Sequence, residues 1–256
     1  VGPIKHSLQL SDTKIGLLQS AFGIFFTLAT FPAGWIADKG NRTRLIAWGI
    51  AIWAVMTALC GLCTNFIQLF LARMGVAVGE GVLTPTAPSI IADNFPPERR
   101  TLPLSLYGMA GSSGLGVSLI AGGFVASLLK DTEFVEIPGL GAFAPWQVIF
   151  FAVGLPGLLV SLMFFFAPEP ERREKGHTSN SLDEFVAILK SRRAIIVPHF
   201  AGVCVYFIQA FAFVAWMPAF IMRVHGWSIA QVGLIYGSLH VVCAIIGGIT
   251  AGWLAG

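Results

Sequence analysis

Gly34-Trp-Ile-Ala-Asp38-Lys39-Gly-Asn41-Arg42-Thr-Arg44 is a compact charged turn between two apolar stretches, each long enough to cross a bilayer. Its surroundings return, weakened, near the far end of the chain. Leu10-Ser-Asp-Thr-Lys-Ile-Gly-Leu-Leu18 opens the segment that closes on Gly34-Trp-Ile-Ala37. Trp227-Ser-Ile-Ala-Gln-Val-Gly-Leu-Ile235 opens one that closes on Gly252-Trp-Leu-Ala255. The copies lie roughly 217 residues apart. A repeat of that length points to parallel halves of a membrane carrier, not to a short solenoid unit. The second copy stops where an Asp would follow, so the chain reads as part of a longer protein.

Composition identifies the solvent. Hydrophobic residues make up 55% of the chain and charged residues 11%, against about 25% charged in soluble domains. Mean hydropathy is +0.78. A soluble core of 256 residues cannot hide that much apolar surface, so most of it faces lipid. The net charge of +3 gives no reason to expect a nucleic-acid partner. The expected fold class is all-α, a polytopic membrane protein.

Windows of about 20 apolar residues place spans at Ile15–Ile36, Leu45–Leu62, Phe66–Ala92, Leu102–Leu129, Trp146–Ala167, Ala194–Met222 and Val232–Leu254. One side of these seven collects Lys39, Arg42, Arg44, Arg99, Arg100, Arg172, Arg173, Lys175, Lys190, Arg192 and Arg193. The other side holds Lys5, Lys14, Lys130 and Arg223. Lys and Arg mark cytoplasmic loops, which puts Val1 outside and Gly256 in the cytoplasm. Val1-Gly-Pro-Ile-Lys-His-Ser7 lacks the pattern of a signal peptide and reads as an outer loop. The expected location is a bacterial inner membrane.

Lys130–Ala144 is polar and rich in Gly and Pro, a second outer loop. Pro168-Glu-Pro-Glu-Arg-Arg-Glu-Lys-Gly-His-Thr-Ser-Asn180 is a charged connector, followed by a capping-box start at Ser181 and Glu184. Leu182, Phe185, Val186 and Leu189 then share one face, predicting a short helix at the inner membrane surface. The domains expected are 1–167, a first bundle; 168–193, the connector; and 194–256, the start of a second bundle.

Gly34-x-x-x-Asp38-Lys39-x-x-Arg42 resembles the cytoplasmic signature loop of the major facilitator superfamily, with Asn41 where that signature usually has Gly. Arg73-Met-Gly-Val-Ala-Val-Gly-Glu-Gly81 is similar to the fourth-helix arginine motif of that superfamily. Thr84-Pro-Thr-Ala-Pro-Ser-Ile-Ile-Ala-Asp93-Asn-Phe-Pro-Pro-Glu-Arg-Arg100 and Pro145-Trp-Gln-Val-Ile-Phe-Phe-Ala-Val-Gly-Leu-Pro-Gly157 resemble its spinster-like branch. The resemblance covers nearly the whole chain, read as helices two to eight of twelve. It implies a secondary transporter with two six-helix bundles, a central cavity and alternating access. It also implies small organic or lipid-like anions as substrates, a proton or other coupling ion, and no cofactor. The signature turn becomes a gate latch formed by Gly34, Asp38, Lys39, Arg42, Arg99 and Arg100. Asp93 is placed to meet Arg42, and Asp38 to lie beside them. A monomer is expected.

Arg73 and Glu80 are the ionised side chains deep inside a span, where charge is expensive and therefore faces a cavity or a partner. At about 100° per residue they share one face with Ala77 and Thr84. They stand two turns apart, about 10 Å, too far for a close ion pair. Arg73 offers a planar fork suited to phosphate or carboxylate, and Glu80 is the candidate proton carrier. The alternative is a buried network that only ties helices together. Tyr107, Tyr206, Gln209 and His240 are weaker polar candidates. Gly108, Gly111, Gly114, Ser118 and Gly122 share a face of the fourth span, with spacing that suits close helix contact.

Cys60 and Cys63 form C-x-x-C with no second ligand pair, so no metal is expected; Cys204 and Cys243 read as small core residues. No span holds the Lys that retinal would need, and no H-E-x-x-H or paired membrane Asp suggests an enzyme. The competing reading is a polytopic membrane protein that does not transport, a receptor or a structural element; it leaves the repeat, Arg73 and Glu80 without a reason.

Overall fold

The computed structural model describes residues 2–128, 132, 134–137, 141–172 and 182–254. The helices are α1 Gly2–Ser7, α2 Asp12–Lys39, α3 Arg42–Cys60, α4 Phe66–Gly81, α5 Leu83–Asn94, α6 Thr101–Leu128, α7 Pro145–Phe166, α8 Leu182–Ser191, α9 Arg193–His225, α10 Ile229–Gln231 and α11 Gly237–Leu254. A π-helical turn, Val232–Tyr236, joins α10 to α11. Two short antiparallel strands, β1 Val135–Ile137 and β2 Gly141–Phe143, pair inside the segment expected to be a loop. Seven helical stretches among the described residues are long and apolar enough to cross a membrane, one for each span expected. The protein is an integral, multi-pass membrane protein.

Polar side chains cap several of the spans. Ser11 accepts from the backbone N–H of Lys14 and Ser228 from that of Gln231, each at 3.2 Å. Their φ and ψ are −73° and 159° against −72° and 159°, so the two copies of the repeat enter their helices in the same way. Asn41 and Asn65 cap α3 and α4 through their side-chain carbonyls.

The third span is two helices rather than one. Pro85 has no N–H to give the Gly81 carbonyl four residues back, so the ladder breaks there. Thr30 of α2 reaches the Gly81 carbonyl at 3.4 Å, and the Tyr107 hydroxyl reaches that of Leu83 at 3.4 Å. The Thr30 hydroxyl also donates to the Phe26 carbonyl at 2.9 Å, so both hydroxyls lie beside the break at long range.

Small residues decide the packing, and α3 is the most deeply buried of the seven spans. It lies between α4 and α7. A Cβ on Gly79 would come within 2.5 Å of the Trp53 nitrogen and 2.6 Å of the Gly49 carbonyl. One on Gly154 would come within 2.7 Å of the Ala58 nitrogen. Backbones meet directly at both crossings.

The glycine stripe expected on the fourth span faces the other way. A Cβ on Gly108, Gly111, Gly114 or Gly122 would meet nothing within 4 Å. The glycines in contact are Gly116 and Gly123, through which α6 packs along α11 and the turn before it. Spacing reveals a small-residue surface but not which side has a neighbour. Cys204 and Cys243, expected in a core, are exposed, while Cys60 and Cys63 are buried free thiols. Helix α9 packs against little among the described residues, and none of its central window is buried. Ser181 lies outside the described residues, while α8 forms where the apolar face predicted a helix.

Gly79→Ala is expected to destabilise the protein by about 1–3 kcal/mol, because overpacking here presses on backbone. Gly111→Ala should leave stability unchanged or raise it, since open space meets a helix preference for Ala of about 1 kcal/mol. Melting temperatures of the two variants in detergent check the contrast.

Candidate functional site

The end of the bundle that carries the signature turn is built on one buried cation. Arg42 opens α3, and its side chain is 2% exposed. Its Nη1 donates to Asp93 and, at 2.9 Å, to the Ser89 hydroxyl. Its Nε donates to Glu169 Oε1 at 2.8 Å, and its Nη2 to the Pro170 carbonyl at 3.2 Å. The second Glu169 oxygen accepts from the Thr43 backbone N–H at 2.9 Å. Burying a charge is costly unless it is paired and hydrogen-bonded, and here each guanidinium nitrogen is used.

Beside it, Arg172 closes the end of α2. Gly40 is extended there, with φ −105° and ψ −172°, so no left-handed cap turns back on the last carbonyls. Arg172 takes them instead, donating to Asp38 O, to Ala37 O at 2.5 Å and to Gly40 O at 2.8 Å. A cation at this end of a helix also suits its dipole. Neither Glu169 nor Arg172 was singled out from the sequence as a site residue. The signal was present: a Pro-Glu-Pro-Glu-Arg run directly after a span, at the level of a buried arginine.

The other residues of the turn are placed as follows. Gly34 passes Pro85, whose Cβ would be 3.8 Å from an added one. Asp38 does not join Arg42: its side chain is exposed and forms no ion pair among the described residues. Glu169 occupies the place expected for it. Lys39 lies over the Trp35 ring at 4.1 Å. Arg99 is exposed, and Arg100 donates from Nε to the Phe95 carbonyl at 3.0 Å.

Arg73 sits on α4 with its guanidinium over the Phe22 ring, 4.6 Å from the centroid. It borders a half-open recess of about 120 Å³ with Ile4, Ile15, Leu18, Gln19, Leu69 and Phe150. Among the described residues it has no salt-bridge partner. The recess is lined by α1, α2, α4 and α7, so Arg73 faces into the first group of helices rather than across to α9 and α11. Glu80 and Thr84 are both exposed, on either side of the break in the third span. Tyr107 joins them through its bond to Leu83 at the same break. Gln209 and Tyr206 are exposed on α9, and His240 is half-buried on α11 with its ring 6.2 Å from that of Tyr236. No three His, Cys, Asp or Glu residues gather into a metal site among the described residues.

The sequence pattern of the Major Facilitator Superfamily matches residues 1–256. The chain belongs to that superfamily. It is 32% identical over 254 residues to an MFS-type efflux pump of Mycolicibacterium smegmatis, which covers 99% of this chain and 56% of that protein. It is 26% identical over 259 residues to the probable sphingolipid transporter spinster homolog 2 of Arabidopsis thaliana, covering 97% and 51%. Among solved structures, a bacterial homolog of the human lysosomal transporter Spinster, inward-facing and unoccupied, superposes with a TM-score of 0.75 at 31% identity, over 95% of this chain and 55% of that one. The chain thus resembles the spinster-like branch, and it spans about half the length of the relatives it matches.

Burial alone raises the Glu169 carboxyl. The hydrogen bonds from Arg42 and Thr43 and the Arg42 charge outweigh it, holding the group below the ordinary carboxylate range. Its contribution to stability is therefore complete above the unfolded value of about 4.3 and is lost as pH falls through the lower folded value. Thermal melts between pH 7 and pH 3 should show an acid loss in the wild type that is smaller in Glu169→Gln. Equal acid slopes in the two proteins would show that this carboxylate is not coupled to folding.

Proposed function

We propose that the full-length protein is a secondary active transporter that moves a lipid-like or other organic anion by alternating access, with proton coupling. The observation that carries this reading is Arg73, a guanidinium within a span that stands over an aromatic ring and beside a recess, with no carboxylate bonded to it among the described residues. A charge held inside the membrane region is retained for a partner, and the Arg fork matches carboxylate and phosphate oxygens. The relative named a probable sphingolipid transporter supports a substrate with an apolar tail.

In this reading the basic end is cytoplasmic, Val1 lies outside, and the membrane is a bacterial inner membrane. Residues 1–167 and 194–256 belong to different halves, joined by 168–193, and the protein works as a monomer. Arg73 binds the anion in a state whose recess opens towards the other half, and Thr84, Tyr107, Gln209 and His240 are further polar groups on the anion's path. Glu80 carries the proton: protonation removes a negative charge two turns from Arg73 and eases anion entry. The Arg42, Asp93 and Glu169 cluster holds the turn at the cytoplasmic end, and Asp38 is left to meet the other half in one of the transport states.

Uptake into proteoliposomes of lysophospholipids, sphingoid phosphates and sugar acids tests the class, with binding measured alongside. Arg73→Lys keeps the charge but loses the fork, so affinity should fall about tenfold, the equivalent of about 1.4 kcal/mol. Glu80→Gln should bind anions but lose the pH dependence of uptake. Full pH-dependent uptake by Glu80→Gln would move the proton role to another residue. Wild-type affinity in Arg73→Lys would remove the anion argument.

A further inference from the structure

The two copies of the repeat do not have the same length. Ser11 and Ser228, Gly16 and Gly233, and Leu17 and Leu234 are each 217 positions apart. Gly34 and Gly252, and Trp35 and Trp253, are 218 apart. The second copy therefore holds one surplus residue between Leu234 and Gly252.

That residue has a geometric consequence. From Gly16 to Gly34 is 18 residues, or about five full turns of an α-helix, so both glycines lie on one face of α2. From Gly233 to Gly252 is 19 residues, which in a regular helix would leave them about 100° apart. Both nevertheless lie against α6. A Cβ on Gly233 would come within 2.6 Å of the Leu119 carbonyl and 2.8 Å of the Gly123 Cα. One on Gly252 would come within 3.1 Å of the Leu102 and Ser105 side chains. The π-helical turn Val232–Tyr236 reaches into the interval over which the offset changes, and its wider turn takes up a surplus residue. The matching stretch of α2 is ordinary α-helix.

The turn also sits at the tightest part of the seam. Gly233 lies on Gly123, and a Cβ on Gly237 would be 3.0 Å from the Gly116 carbonyl, so backbone meets backbone on both sides of it. Towards the basic end the same seam is cushioned by the Met109, Leu102 and Ser105 side chains.

We propose that this π-helical turn is the flexing point of α11. The surplus residue is handed along the helix by one position, so the stretch Ser228–Gly233 rotates on α6 while Gly237–Leu254 stays seated. Helix α2 has no surplus residue and no π-helical turn at the matching place, so it lacks this flexing point. The two halves then rock unequally, and the seam between α6 and α11 gives way at one end only. The proposal rests on the alternating-access reading, but its first test does not depend on knowing a substrate.

Hydrogen exchange on the full-length protein in nanodiscs should show amides 232–237 exchanging about tenfold faster than amides 15–20 of α2. Asp93→Asn, which loosens the basic end, should change the first set and leave the second unaltered. Deleting Leu234, an exposed side chain, should make the helix regular, protect amides 232–237, and reduce uptake of whichever anion the wild type carries by about tenfold. Leu234→Ala keeps the residue count and should transport within about twofold of wild type. Equal exchange at the two stretches in both proteins would overturn the proposal even if the deletion variant fails to fold. A folded deletion variant with wild-type uptake would overturn it as well. Absence of uptake in the wild type for every anion tested would count against the transport reading, leaving the exchange result to stand alone.

Discussion

A single buried cation organises the end of the molecule on which the rest is hung. Arg42 is 2% exposed, and a charge so placed is tolerated only with partners on several sides. Asp93 comes from the end of α5, Glu169 from the segment after α7, and the turn itself joins α2 to α3. Removing one partner of such a cluster costs about 3–5 kcal/mol, more than any one exposed pair is worth. The helix ends at this face are thus fixed by electrostatics, while the spans behind them are fixed by close approach of glycine and alanine. Arg172 adds a second fastening, so the first residues after α7 belong to the turn as firmly as α2 does.

How much could be read beforehand follows from which forces act locally. Lipid as solvent imposes long apolar runs, so all seven spans were legible, whereas the Ser11 and Ser228 caps were read only as parts of the repeat. The fold class and the superfamily followed from the signature turn, the arginine motif and the repeat. The break at Gly81 was missed because Pro85 and Pro88 sit inside an apolar run that hydropathy treats as continuous. The glycines of α6 were assigned to the wrong face because their spacing is nearly as regular on one side as on the other. Only the position of α11 distinguishes Gly116 and Gly123 from Gly108 and Gly111.

The candidate site was legible to the same uneven degree. Arg73 and Glu80 stood out by charge within a span, and Asp93 by its position opposite Arg42. What the sequence withheld was the company they keep. Phe22 is one of 21 phenylalanines, and nothing in its neighbourhood marks it as the ring under Arg73. Glu169 lay in a charged run that read only as a connector between bundles. Long-range partners such as these, 51 positions apart for Arg73 and Phe22 and 127 for Arg42 and Glu169, depend on how the helices cross, which no local pattern encodes.

Helix α9 carries a different lesson, about how the molecule is made. Among the described residues this span has few packing partners, and its own apolar length suits it to lipid. Arg193 stands at one end and Arg223 and His225 at the other, positions from which basic side chains reach the two membrane surfaces. Gln209 and Tyr206 are the tax on placing it in lipid, and the runs of Phe, Val and Ile around them supply the margin. Helix α3, whose small residues suit neighbours better than lipid, shows the opposite balance. The spans of one chain thus divide their apolar surface between lipid and neighbours in very different proportions.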